Sequence, residues 1–227
     1  MMKIDLDATT LRDLNAQLHA LPVGTNERSW RVVNPGGKHS IAVGLDAPIE
    51  VTIDGHVGYY CGGMNKRATI TIDGHCGTGL GENIMSGLIR VRGNASQSAG
   101  ASGRGGMIVI EGDASARCGI SMKGVDIVVG GSVGHMSAFM AQAGRLVVCG
   151  DAGSDLGDSI YEAELFVAGK VESLGADCEE RPMRDEDRKA VTELLARAGI
   201  KADIKRFRRY GSARKLYNFH IDHVDQY

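Results

Sequence analysis

The chain has 227 residues, with 26 Lys and Arg against 28 Asp and Glu for a formal net charge of −2, and only 5% of it is aromatic. That balance argues against nucleic-acid binding, where concentrated positive charge supplies most of the affinity. Five cysteines (Cys61, Cys76, Cys118, Cys149 and Cys178) without a C-x-x-C pair indicate reduced thiols, not a disulfide framework or a zinc site.

No run reads as a signal peptide or a bilayer span, so the expected location is cytoplasmic, away from any membrane. At the N-terminus, Leu11, Leu14 and Leu18 recur at helical spacing behind Thr9 or Thr10 as candidate N-caps. Residues 1–29 are read as a cap over the open end of a repeat region. Residues 28–48 read as an irregular lead-in, with Val32 four positions before Gly36 and Asn34 interrupting the second apolar column.

From there a ruler takes over. Gly55, Gly74, Gly93, Gly112, Gly131, Gly150 and Gly169 follow one another with a constant period of nineteen. Four positions before each lies Val51, Ile70, Ile89, Ile108, Ile127, Leu146 or Leu165; two before lies Ile53, Ile72, Val91, Ile110, Val129, Val148 or Val167. Two after come Val57, Cys76, Ala95, Ala114, Val133, Ala152 and Val171. Inward positions that advance by two describe a strand with one buried face. The residues between them (Thr52, Thr71, Arg90, Val109, Val128, Val147, Phe166) vary, which marks an outer face. Seven after the ruler stand Gly62, Gly81, Gly100, Gly119, Ala138, Gly157 and Ala176, small residues suited to tight corners. The fold class that results is an all-β solenoid: a right-handed parallel β-helix of about seven turns, each rung stacked on the next at roughly 4.8 Å. The left-handed hexapeptide coil is disfavoured because nineteen is not a multiple of six.

Few residues in such a pattern are free for chemistry. His56 and His75 share a column in a repeated Ile-Asp-Gly-His, beside Asp54 and Asp73, but Asn94 and Asp113 continue that column, so polar corners are favoured over a metal site. Gly77-Thr78-Gly79-Leu80-Gly81 looks like a phosphate loop until its context is read: the next element is a strand, not the helix a dinucleotide fingerprint opens. Toward the C-terminus, Asp185 and Glu186 open a helix, Val191, Leu194, Leu195 and Ala198 form its apolar stripe, and Gly199 ends it. The basic and aromatic tail beyond it reads as a docking peptide. Arg206, Phe207, Arg208, Arg209, Tyr210, Arg214, Lys215 and Tyr217 are the expected partner contacts.

The repeated glycine turns, seen best in residues 74–81, resemble the GXGXG domain that closes the large subunit of glutamate synthase, a right-handed parallel β-helix. The resemblance spans residues 30–180, followed by a helix and tail over 181–227. Free-standing chains of this kind occur as the β-helix subunit of N-methylglutamate synthase and related complexes, and a more distant relative is a formylmethanofuran dehydrogenase subunit. The resemblance implies a non-catalytic subunit holding together a glutamine amidotransferase-like subunit and an FMN-binding glutamate synthase-domain subunit in a higher hetero-oligomer. It implies FMN on the partner and no cofactor, metal or catalytic residue on this chain.

Overall fold

The computed structural model describes residues 1–214. Its element order is β1 (Met2–Asp5), α1 (Leu11–His19), β2 (Ser29–Val33), β3 (Glu50–Asp54), β4 (Thr69–Ile72), β5 (Leu88–Val91), β6 (Met107–Ile110), β7 (Lys123–Val129), β8 (Ala143–Val148), β9 (Glu164–Val167), β10 (Cys178–Arg181), α2 (Asp185–Ala198) and β11 (Arg208–Ser212). The strands form one 11-stranded sheet, parallel from β1 to β9. Between β3 and β9 the register keeps the period of the ruler: Val51 pairs with Ile70, Ile70 with Ile89, and so on to Leu146 with Leu165. Both aliphatic columns are almost wholly buried. A second seam runs through single bridges from Val57 to Cys76, Ala95, Ala114, Val133, Ala152 and Val171, the column two positions after the ruler. Arcs between the two seams close the coil, so residues 49–176 form stacked turns as the period predicts.

Each arc contains three left-handed residues at alternate positions, such as Gly79, Gly81 and Asn83, or Ser98, Gly100 and Ser102. The middle one carries the glycine column. At Gly81, φ is +60°, and an added Cβ would stand 2.8 Å from the Ile108 Cδ1 in the core. The ruler glycines differ, since apart from Gly55 their φ is not in the left-handed region. They are small because turns touch there: a Cβ on Gly74 would lie 2.6 Å from the Gly55 carbonyl. Gly93 N donates to Gly74 O at 3.0 Å, and the same bond repeats up to Gly169. Two columns that look alike in the sequence thus have two causes, close approach and handedness.

The lead-in is a full turn, irregular only in its length. Trp30 pairs with Val51 and Val32 with Ile53, a step two longer than the period, which places Val32 in the second column and Trp30 in the first. Ser40, Ala42 and Gly44 are left-handed, each twenty positions before its counterpart in Tyr60, Gly62 and Met64. One extra residue on each side of the first arc explains both offsets, and Gly36 therefore does not belong to the ruler. Strand β1 adds a further parallel rung that the sequence pattern does not reveal. Helix α1 begins at Thr10, whose hydroxyl accepts from Asp13 N at 3.1 Å, and seats buried Leu14 and Leu18 on the core.

The outer face also needs correction. Val109, Val128, Val147 and Phe166 are fully buried, because α2 lies across them with Val191, Leu194, Leu195 and Ala198 to form a second core. Gly199 ends α2 in a left-handed C-cap (φ 65°). Arg90, at the boundary of the covered region, donates to Ala198 O at 2.9 Å and so neutralises the exposed carbonyl end of the helix. Beyond α2 the chain returns as β11, which inserts antiparallel between β9 and β10 and closes the C-terminal end of the sheet.

Candidate functional site

The residue after each ruler glycine from Gly55 to Gly150 performs one repeated task. His56 Nδ1 accepts from His75 N at 2.9 Å, and His75 Nδ1 accepts from Asn94 N at 2.8 Å. The series continues through Asn94 Oδ1, Asp113 Oδ1, Ser132 Oγ and Asp151 Oδ1, each accepting the backbone N–H one turn on. Chemically different side chains occupy one column because each supplies a short-range acceptor. The geometry assigns an unprotonated Nδ1 to both histidines, since a backbone N–H can only donate. Their rings stack at 4.9 Å between centroids. Among the described residues no group of three or more His, Cys, Asp or Glu is placed to hold a metal ion. Asp54 and Asp73 face arginines, at 2.7 Å from Arg31 and 2.9 Å from Arg92. Gly79 and Gly81 of the glycine-rich stretch serve an arc, as the strand context predicts.

The thiols are unsuited to nucleophilic work. Burial pushes Cys76, Cys118 and Cys178 up to about 12 and raises Cys61 as well. They remain protonated at neutral pH, whereas a reactive cysteine needs a depressed value.

The strongest electrostatic cluster lies where the coil, α2 and β11 meet. Glu164 reaches Arg209 at 3.0 Å, Arg184 at 3.3 Å and Arg145 at 3.5 Å; Arg145 also approaches Asp126 at 3.8 Å. Asp187, only 2% exposed, accepts from Arg184 Nε and backbone N at 2.9 and 2.8 Å, with Arg209 at 3.6 Å. The Arg184 side-chain hydrogen bond is the main reason the Asp187 carboxyl is held below its ordinary value. Burial instead raises Asp126. Sequence reasoning missed this cluster, although a signal for half of it exists: Asp126, Arg145 and Glu164 fall one period apart with alternating charge.

Two clefts of about 270 Å³ flank this cluster, one lined by Asp126, Arg145, Glu162 and Glu164, the other by Tyr161, Glu162, Glu164, Arg181 and Arg209. A third, of about 190 Å³, lies between α1 and the first arc and includes Leu18, Leu21 and Met64. None of the three fits FMN. They are smaller than the usual range for cofactor pockets, and the two charged ones are crossed by ion pairs and offer no apolar slot for a flavin ring.

Of the expected docking residues, several are used within the chain. Phe207 (3% exposed) belongs to the second core and Tyr210 (2%) to the coil core. Arg208 donates to Gly169 O at 3.0 Å, Arg209 joins Glu164 and Asp187, and Arg214 pairs with Asp177. Arg206 is exposed. Lys215 and Tyr217 lie outside the described residues. Phe207 and Tyr210 are thus taken up by the chain's own cores, while Arg206, Arg208 and Arg214 remain exposed on the surface. The segment's aromatic and basic composition records strand pairing and core closure, which composition alone does not distinguish from docking on another chain.

Fold and site together define a parallel β-helix whose polar side chains hold its own turns in register. One relative is Protein GlxC of Rhizobium meliloti (strain 1021), 58% identical over 229 aligned positions that cover 100% of both chains. The chain belongs to the GlxC family. No family model matches it and no solved structure matches it. No described helix is long and apolar enough to cross a membrane.

Proposed function

We propose that this chain is the structural subunit of an FMN-dependent, glutamate-synthase-like enzyme complex, specifically an N-methylglutamate synthase that converts L-glutamate and methylamine into N-methyl-L-glutamate and ammonia. In that reading it bridges an amidotransferase-like subunit and an FMN-domain subunit in the cytoplasm, and FMN resides on the partner. The observation that carries the structural role is the acceptor ladder from His56 to Asp151, in which the polar corner residues are committed to holding the next turn. A coil stiffened in this way presents long faces of fixed geometry. Fixed geometry matters when a reactive imine and a small amine must pass between centres without loss to water. The GXGXG resemblance supplies the enzyme class, and full-length similarity to Protein GlxC is consistent with a free-standing subunit.

The test is isolation against reconstitution. The purified chain is expected to bind no flavin and to show no turnover, while the chain recovered from its native cell with its partners carries FMN and forms N-methylglutamate. Turnover by the chain alone contradicts the proposal.

A further inference from the structure

The arcs expose a pattern that their role in closing the coil does not require. Tyr60 (47% exposed) and Met64 (50%) stand on the left-handed positions of one arc, and Met136 and Met140 (40%) occupy the same two positions four turns later. Midway lies the arc of Ser98, Ala101 and Ser102, whose side chains are small and partly exposed. The spacing is symmetric: Ser98 lies two periods from both Tyr60 and Met136, and Ser102 lies two periods from both Met64 and Met140. With about 4.8 Å per turn, the two apolar sites lie about 19 Å apart on one face, with a flat small-residue band between them.

We propose that this face binds a second copy of the same chain, antiparallel, with the two-fold axis through the Ser98–Ser102 arc. A two-fold interface is isologous, so a residue n turns before the axis meets the residue n turns after it. Tyr60 and Met64 then cover Met136 and Met140 of the other copy, twice, and the central serines and alanine let the backbones approach. One opposite-charge pair agrees with this register. The arc one turn before the axis carries Glu82, and the arc one turn after carries Arg117. Neither forms an ion pair with another described residue. The position that meets Arg117 is Gly79, and a Cβ there would lie only 3.3 Å from Glu82 Oε2. The Tyr60 ring lies over that glycine, 2.6 Å from where a Cβ would stand, so the incoming guanidinium reaches the carboxylate beside the ring. Exposed methionine and tyrosine supply adaptable apolar contact, and the paired opposite charges fix orientation.

The dimer stands or falls independently of the enzyme complex proposed above. Sedimentation equilibrium of the purified full-length chain is expected to give a concentration-dependent mass of two chains. Glu82→Arg should weaken dimerisation by about tenfold or more by placing like charges together. Adding Arg117→Glu should restore it to within about threefold, a recovery that merely structural damage would not show. Ala101→Arg, which sets two guanidinium groups across the axis, should give monomers with an unchanged circular dichroism spectrum. If that variant misfolds, the charge exchange alone decides. A monomeric wild-type chain, or a dimer indifferent to Glu82→Arg, overturns the proposal.

Discussion

The coil and the segment that wraps it, residues 183–214, are specified by different kinds of information. Along the coil the acceptor ladder, the glycine contacts and the aliphatic columns each recur from turn to turn. In the wrapping segment each contact occurs once: Arg90 on Ala198, Asp187 on Arg184, Phe207 in the second core. The difference teaches where damage spreads. A fault in a rung is felt by both neighbours, whereas a fault in the wrap can leave the coil standing, in the manner of a separately cooperative unit.

The largest expected effect comes from Gly112→Val. Its Cβ would collide with Asn94 Oδ1 and stand 2.9 Å from Gly93 O, so a bulky side chain prises two turns apart. The expected loss is about 4 kcal/mol or more in denaturant unfolding. Leu195→Ala removes a residue that is 5% exposed between α2 and the outer sheet face, at a cost of about 2–4 kcal/mol. Here the prediction is regional: amide exchange accelerates in α2 and β11 while β3–β5 keep their protection. Uniform acceleration would show that wrap and coil unfold as one unit.

Smaller still is Gly100→Ala. The column already tolerates alanine at Ala138, φ 59°, and the atom a Cβ at Gly100 (φ 72°) would meet, Ile127 Cδ1 at 2.5 Å, is the far end of a flexible side chain, so the expected cost is about 1–2 kcal/mol, below that of Gly112→Ala. Equal costs would erase the distinction between the handed column and the contact column. The smallest effect is the acid response. Asp187 has its folded value below the unfolded carboxylate value of about 3.9, so its contribution is complete above that pH and fades as the pH falls through the folded value. Asp187→Asn should therefore lower stability at pH 7 by about 1 kcal/mol, and the gap from wild type should narrow below about pH 4. A gap independent of pH would assign the loss to packing.

The coil is legible because repetition turns one ambiguous strand into a set of concordant ones: Val51 alone says little, and Val51 with Ile70, Ile89 and Ile108 says strand and register. The first turn is obscured by single extra residues on either side of its arc, which move Val32 to the other column. Val109, Val128, Val147 and Phe166 carry an apolar signal on the outer face that averaging with Thr52, Thr71 and Arg90 hides; taken as a run, those four mark where α2 lands. The tail is the least legible part. Buried Tyr210 and Phe207 have the same composition whether the surface they cover is their own coil or another chain. The acceptor ladder is visible as a polar column, but its task depends on a backbone N–H lying opposite each side chain, which only the turn geometry discloses.

The central claim is that the chain braces other subunits and performs no chemistry alone. Recovery of the tagged chain from its native cell, with flavin content and N-methylglutamate formation measured before and after the co-purifying subunits are stripped away, tests this most directly. FMN and activity should leave with the partners, and the remaining chain should be folded and inert. Flavin or turnover retained by the stripped chain would contradict the account.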